Sequence, residues 1–290
     1  MKARTLCPSQ CFLGESPMWN AERNSCFWVD IDGGILYEYN WSSKKTRNWK
    51  FDGKLSLAIQ DNKNELILAL NTRIIKFGLD SEKVTPITDI DPPGSGNRCN
   101  DGACDIRGRL WIGTMHLQHK QNAGALYMVD HNLNVHKKIS NTSISNGITW
   151  SRDNKRMFYI DSPAKVVQSY HYNEETAEII FEKNIIEIPN ELGSPDGMAL
   201  DEEGMLWIAH WGGFGVYRWN PKSGQLLDKI EVPVPQVSSC AFAGPDLDHL
   251  IITTARENFS EEEARKYPDS GNIFIAKTAV KGVQPYKCSL

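Results

Sequence analysis

A short apolar segment recurs along this chain, each copy following a polar turn: NSCFWVD, NELILAL, GRLWIGT, KRMFYID, GMLWIAH and DHLIITT. The third residues of these segments are Cys26, Leu66, Leu110, Met157, Leu206 and Leu250, which are 40, 44, 47, 49 and 44 residues apart. That period suits blades of four short strands and is too long for leucine-rich or helical repeats. A second run follows each first one at a looser offset: ILYEY, IIKFG, ALYMV, QSYHY, VYRWN and IFIAK. These are short, aromatic or β-branched, with the alternation of half-buried strands. Six copies of each predict an all-β chain folded as one six-bladed β-propeller, a single domain spanning 1–290. A β-sandwich also alternates, but it has no reason to keep a sixfold recurrence near this spacing.

The polar stretches before the first run (20–24, 61–64, 105–108, 151–154 and 201–204) read as tight hairpin turns of the Asx and glycine kind. Ring closure requires an end strand near residues 3–13, or the VQPYKC tail, to complete the last blade. With each blade running inner strand, turn, second strand and then its antiparallel partners, one face of the disc receives the tight turns and the other receives the remaining connections. The two longest insertions, MHLQHKQNAG after Thr114 and the stretch from AREN to YPDSG after Thr254, fall on that second face. Long loops on a rigid scaffold are where binding concentrates.

The same phase organises the chemistry-bearing side chains. Glu15, Asn100, Asn146 and Asp196 lie 10 or 11 residues before Cys26, Leu110, Met157 and Leu206. Equal phase in a radial repeat places them around the axis on the loop-rich face. The equivalent slots of blades two and six hold Leu55 and Ser239 or Cys240, so the polar cluster is drawn from four blades. Carboxylate and amide oxygens are hard donors, suited to Ca, Mg, Mn, Zn or Fe. We therefore expect one divalent cation held by Glu15, Asn146 and Asp196, with coordination positions left for water and substrate. Asp196 is the expected proton acceptor. Arg98, Asn100 and Asp101 in NRCNDG, and Gln118 in the following insertion, are the expected substrate-binding residues, because guanidinium and amide groups suit directional bonds to a sugar.

Each motif also has a plainer reading: SPDG and SNG are common turn sequences, Glu15 caps a turn, and NRCNDG is a surface turn. It is the shared phase that favours a site. His116 and His119 read as a polar lid and His210 as structural.

Bulk properties narrow the partners. A net charge of -4 with 40% hydrophobic and 23% charged residues describes a soluble globular chain and argues against a polyanion or an anionic membrane. The chain has no apolar run that resembles a signal peptide or a membrane span, so a cytoplasmic location is expected. Seven cysteines, at 7, 11, 26, 99, 104, 240 and 288, are an odd number with scattered spacings and read as reduced thiols. Neither the C-x3-C pair at 7 and 11 nor the C-x4-C pair at 99 and 104 has the partners of a zinc site.

Taken in order, LGESPMW at 13–19, NRCNDGxxDxxGRLWIGTM at 97–115, ISNGITWSxD at 144–153, SPDGMALD at 194–201, WGG at 211–213 and VPVPQVSSCAFAGP at 232–245 resemble the regucalcin (senescence marker protein), gluconolactonase and luciferin-regenerating enzyme family over essentially the whole chain. The resemblance implies a six-bladed propeller with one axial divalent cation on Glu15, Asn146 and Asp196. It also implies Asp196 as proton acceptor, Arg98 and Asn100 as ligands of a sugar lactone, and hydrolysis of aldonolactones to aldonic acids. Some members of that family carry acidic residues just after GTM, where this chain has His116, Leu117 and Gln118, so neither substrate preference nor metal identity transfers. The competing expectations are a calcium-binding scaffold without catalysis and a propeller esterase or phosphotriesterase. Oligomeric state is left open.

Overall fold

A computed structural model describes residues 1–63, 65–92 and 94–290. It contains six antiparallel sheets of four strands each, arranged as the blades of a propeller. The innermost strands are Gly14–Asn20, Leu55–Gln60, Asn97–Cys104, Ser145–Trp150, Ser194–Leu200 and Val237–Ala243. They contact one another around the ring, each against its two neighbours. The recurring apolar segments form the next strands out: Ser25–Asp30, Leu66–Leu70, Leu110–His116, Arg156–Asp161, Leu206–Trp211 and His249–Thr254.

The apolar segment is therefore the second strand of each blade, in the order innermost strand, turn, second strand that the position of the polar turns implied. The innermost strands carry no such run. GESPMWN, NRCNDGAC, SNGITW and SPDGMAL are polar, rich in glycine, and interrupted by a register shift, so they lose the period-2 signature. The second strand is buried on both faces between neighbouring blades and keeps a continuous apolar run.

The polar turns do connect first to second strands. Asp105 Oδ1 accepts from the N–H groups of Arg107 and Arg109, and Asp201 Oδ1 accepts from those of Glu203 and Met205. Their other oxygens accept from Trp111 Nε1 and Trp207 Nε1 at 2.9 and 3.0 Å, tying turn to strand. Part of the turn at 61–64 lies outside the described residues, because Asn64 does.

Ring closure uses the amino-terminal candidate. Arg4–Cys7 pairs antiparallel with Ile273–Lys277, so the sixth blade is built from both ends of the sequence. The carboxy-terminal segment instead lies across the face that carries the hairpin turns. The insertion after Thr254 holds a short helix, Glu261–Lys266, started by a capping box between Ser260 and Glu263. No helix among the described residues is long and apolar enough to cross a membrane. All seven cysteines are free and buried.

Candidate active site

Glu15, Asn100, Asn146 and Asp196 all stand at the register shift of an innermost strand, near the end where that strand enters the ring. In blades two and six the shift falls at Ser56 and Ser238. Ser238 thus replaces Ser239 or Cys240 as the sixth-blade equivalent, because the shift sets the phase one residue earlier.

The segments entering two of these strands are fixed by buried or half-buried aspartates. Asp30 accepts from the N–H groups of Phe12 and Leu13, both at 3.0 Å, just ahead of Glu15. Asp161 accepts from Ser143 and Ile144 ahead of Asn146. SNG and PDG are not turns here. A Cβ on Gly147 would lie 2.7 Å from the Asp196 carbonyl oxygen, and one on Gly197 would collide with Ser239. These glycines allow neighbouring innermost strands to approach closely at the axis.

A continuous hydrogen-bonded chain links three blades. Arg98 Nη1 donates to Asn100 Oδ1 at 2.6 Å and to the Cys99 carbonyl at 2.9 Å. Asn100 Nδ2 donates to Asn146 Oδ1 at 2.9 Å and to the Ser145 carbonyl at 2.8 Å. Asn146 Nδ2 donates to Ser162 Oγ at 2.8 Å, and Ser162 donates to the Pro195 carbonyl at 2.6 Å, next to Asp196. Ser162 was not identified from the sequence; it follows the second strand of blade four and has no motif of its own.

Electrostatics draws the carboxylates into the same cluster. Burial, followed by the charge of Asp101, pushes Glu15 up to about 8, against the opposing pull of Arg98. Asp196 is driven well above the usual carboxylate range by burial, then by Glu15 and Asp101. Its Oδ1 is buried without a hydrogen-bond partner. Burial also lowers Arg98, although a guanidinium keeps its charge. Asp32 and Glu257, from loops of blades one and six, act on Arg98 and support its charge. They too were missed from sequence, since neither shares the phase of the others.

Asp101 is placed differently from its neighbours in NRCNDG. Its Oδ1 accepts from the Gly102 N–H, and the residue lines a cavity of 310 Å³ that runs along the axis toward the hairpin-turn face. Burial raises its carboxyl to about 6. Gln118 is exposed, with its backbone N–H on His116 Nδ1, and takes no part in the network. The adjacent Leu117 borders a shallow depression of 580 Å³ together with Asp32, Lys54 and Asn71, so this loop overhangs the rim. His210 is fully buried, bonded through Nδ1 to the Leu192 carbonyl and stacked on Tyr217 at 4.1 Å. Burial holds it down to about 4, which fits its structural reading.

The donor chemistry fits a hard cation. Crowded carboxylates, one of them with an unpartnered oxygen, face a single arginine and lack compensating charge. Among the described residues no three His, Cys, Asp or Glu side chains form a ligand set by themselves, and amide oxygen is the further hard donor present in the cluster. Asn146 Oδ1 has one lone pair engaged by Asn100 and a second free for that role.

Fold and cluster together define a six-bladed propeller with an acidic axial site. The chain belongs to the SMP-30/gluconolactonase/LRE-like family, whose model matches residues 13–256. It is 32% identical over 277 residues to a Bacillus subtilis protein named for sugar lactone lactonase activity, covering 96% of this chain and 95% of that one. Among solved structures it is similar to a luciferin-regenerating enzyme (TM-score 0.92, 30% identity, 97% of each chain). It is also similar to a regucalcin from Agrobacterium tumefaciens, described as a calcium-binding protein (TM-score 0.94, 26% identity, 99% of this chain and 97% of that one).

Proposed function

We propose that this protein hydrolyses sugar lactones, of the aldonolactone class, to the corresponding aldonic acids at the axial cluster. The observation that supports this most directly is the buried, unpartnered Oδ1 of Asp196, in the field of Glu15 and Arg98 and joined through Ser162 to Asn146. Family membership and the lactonase-named relative point the same way.

Glu15, Asn146 and Asp196 would hold a divalent cation of the Ca, Mg, Mn, Zn or Fe class. When bound, it supplies positive charge that polarises a lactone carbonyl and acidifies water. Asp196 accepts the proton of the attacking water through its free Oδ1, and passes it to the ring oxygen as the C–O bond opens. Arg98 and Asn100 orient the sugar and offset charge that develops on the carbonyl oxygen. Arg98 is itself held by its bonds to Asn100 and the Cys99 carbonyl, so its guanidinium is preorganised. Asp101, beneath the cluster, sets the negative field felt by Glu15 and Asp196.

The regucalcin neighbour's description as calcium-binding motivates the alternative of a cation-holding scaffold without chemistry. One experiment separates the two. Metal-loaded protein is mixed with gluconolactone, arabinolactone, xylonolactone and galactonolactone, and proton release is followed for the wild type and Asp196→Asn. Turnover that falls by about 10²–10⁴-fold in the variant supports hydrolysis. No acceleration over buffer with any lactone overturns it, and activity confined to aryl esters or phosphotriesters replaces the substrate class.

A further inference from the structure

The segment from Thr278 to Leu290 crosses the hairpin-turn face as an irregular strap. It is stitched to blade after blade: Glu202 N–H to the Lys281 carbonyl at 2.9 Å, Val283 N–H to the Leu200 carbonyl at 3.2 Å, and Tyr286 hydroxyl to Asn154 Oδ1 at 3.0 Å. Farther on, the Cys288 N–H donates to the Gln60 carbonyl at 2.9 Å and Ser289 N–H to the Gly108 carbonyl at 2.8 Å. Residues 283–287 form part of the wall of the 310 Å³ axial cavity.

These bonds seat Cys288 between the hairpin turns of blades two and three, and the innermost strand of blade three ends at Cys104. Cys288 and Cys104 are both buried, in one apolar cluster with Cys99, Leu110 and Ile59. Burial, and after it the neighbouring Cys288 thiol, raises the Cys104 thiol well above its ordinary value. The candidate active site, at the opposite end of the innermost strands, uses neither cysteine.

We propose that Cys104 and Cys288 are an oxidisable pair, which hydrogen peroxide joins as a disulfide that fastens the strap to the ring. Cys288 is the point of entry. The strap is irregular and joins the strands only by isolated bridges, so it opens locally at lower cost than the sheets. Cys104, in contrast, is held in the innermost strand of blade three, paired with Leu110 of the second strand. The Cys288 thiolate attacks one peroxide oxygen, breaking the O–O bond to give a sulfenic acid and, after protonation, water. When the strap settles, the Cys104 sulfur displaces the sulfenic oxygen as a second water and the S–S bond forms. Two thiols and one peroxide thus become one disulfide and two waters, with two electrons passing from sulfur to oxygen.

The test uses the whole protein, reduced, freed of reductant and treated with hydrogen peroxide before alkylation and digestion with trypsin. Cleavage after Arg98 and Lys287 releases Cys99–Arg107 and a peptide beginning at Cys288. The expected product is these two peptides linked, two hydrogens lighter than their sum, with fragmentation placing the bond on Cys104 and not Cys99. The cross-link should raise the thermal midpoint by about 5 °C or more, reversibly with reductant, and the rise should be absent in Cys288→Ala. If Cys104 and Cys288 both remain alkylatable, or if Cys288 is oxidised without the link, or if the bond forms on Cys99, the proposal is overturned. None of these readouts depends on lactone turnover.

Discussion

Asn100 Nδ2 donates to Asn146 Oδ1 at 2.9 Å, across the boundary between blades three and four. This one contact couples the proposed sugar-binding edge to the proposed cation ligands, because the other end of Asn100 receives Arg98. Replacing Asn100 by leucine leaves Arg98 Nη1 with only the Cys99 carbonyl and leaves the Asn146 amide held by Ser162 alone. Divalent-cation affinity should fall by about 10–100-fold, the usual cost of losing an outer partner of a ligand. Calorimetric titration with calcium and with manganese checks this, and an unchanged affinity for both would uncouple the two residues.

The raised carboxylates make stability depend on both pH and cation. Glu15 has a folded pKa near 8, above its ordinary 4.5, so between these values the folded chain holds a proton that the unfolded chain has lost. Stability then falls as pH rises, the reverse of the usual carboxylate case. In chelator, the thermal midpoint should decrease from about pH 4.5 to about pH 8, beyond the trend of the remaining groups. Glu15→Gln should flatten that slope, and saturating divalent cation should do the same by compensating the ionised carboxylates. A chelated wild type whose slope matches that of Glu15→Gln would refute the assignment.

Edge closure carries a separate risk. Arg4–Cys7 covers the outer edge of Ile273–Lys277, and without it the Ile273–Lys277 strand presents unpaired backbone groups to solvent. Removing residues 1–8 should therefore produce a chain that self-associates, seen as a shift to larger species in size-exclusion chromatography at concentrations where the intact chain shows no such shift. Addition of a synthetic peptide spanning the missing strand should reduce the association.

The sequence carried the fold more openly than it carried the site. Second strands such as the one containing Trp207 and Ile208 are enclosed by blades on both sides, so their apolar runs survive as a repeat. The strand containing Asp196 lines the axis instead, and its composition answers to ligand chemistry and close approach, so it resembled a turn. Phase nevertheless located Glu15, Asn100, Asn146 and Asp196, because a radial fold converts equal offsets into convergence. Ser162, Asp32 and Glu257 reach the same region from loops of unequal length, and no periodicity marks them. Gln118 lies at the exposed rim because the loop after Met115 turns outward at His116.

Gly147 provides a test of how closely the axial site depends on strand spacing. A Cβ there meets the Asp196 carbonyl oxygen at 2.7 Å, and a backbone atom in a paired strand has little room to move. Substitution by alanine should push the innermost strands of blades four and five apart, widening the gap between Asn146 and Asp196. A shift of a few tenths of an ångström affects a ligand set more than it affects packing, since coordination tolerates only about 0.2 Å. Gly147→Ala should therefore lose cation affinity by an order of magnitude or more while its thermal midpoint in chelator changes by only a few degrees. If the chelated variant unfolds at a much lower temperature than wild type, the glycine is needed for the ring itself. If affinity and midpoint both stay unchanged, the strands are held less tightly than the contact implies.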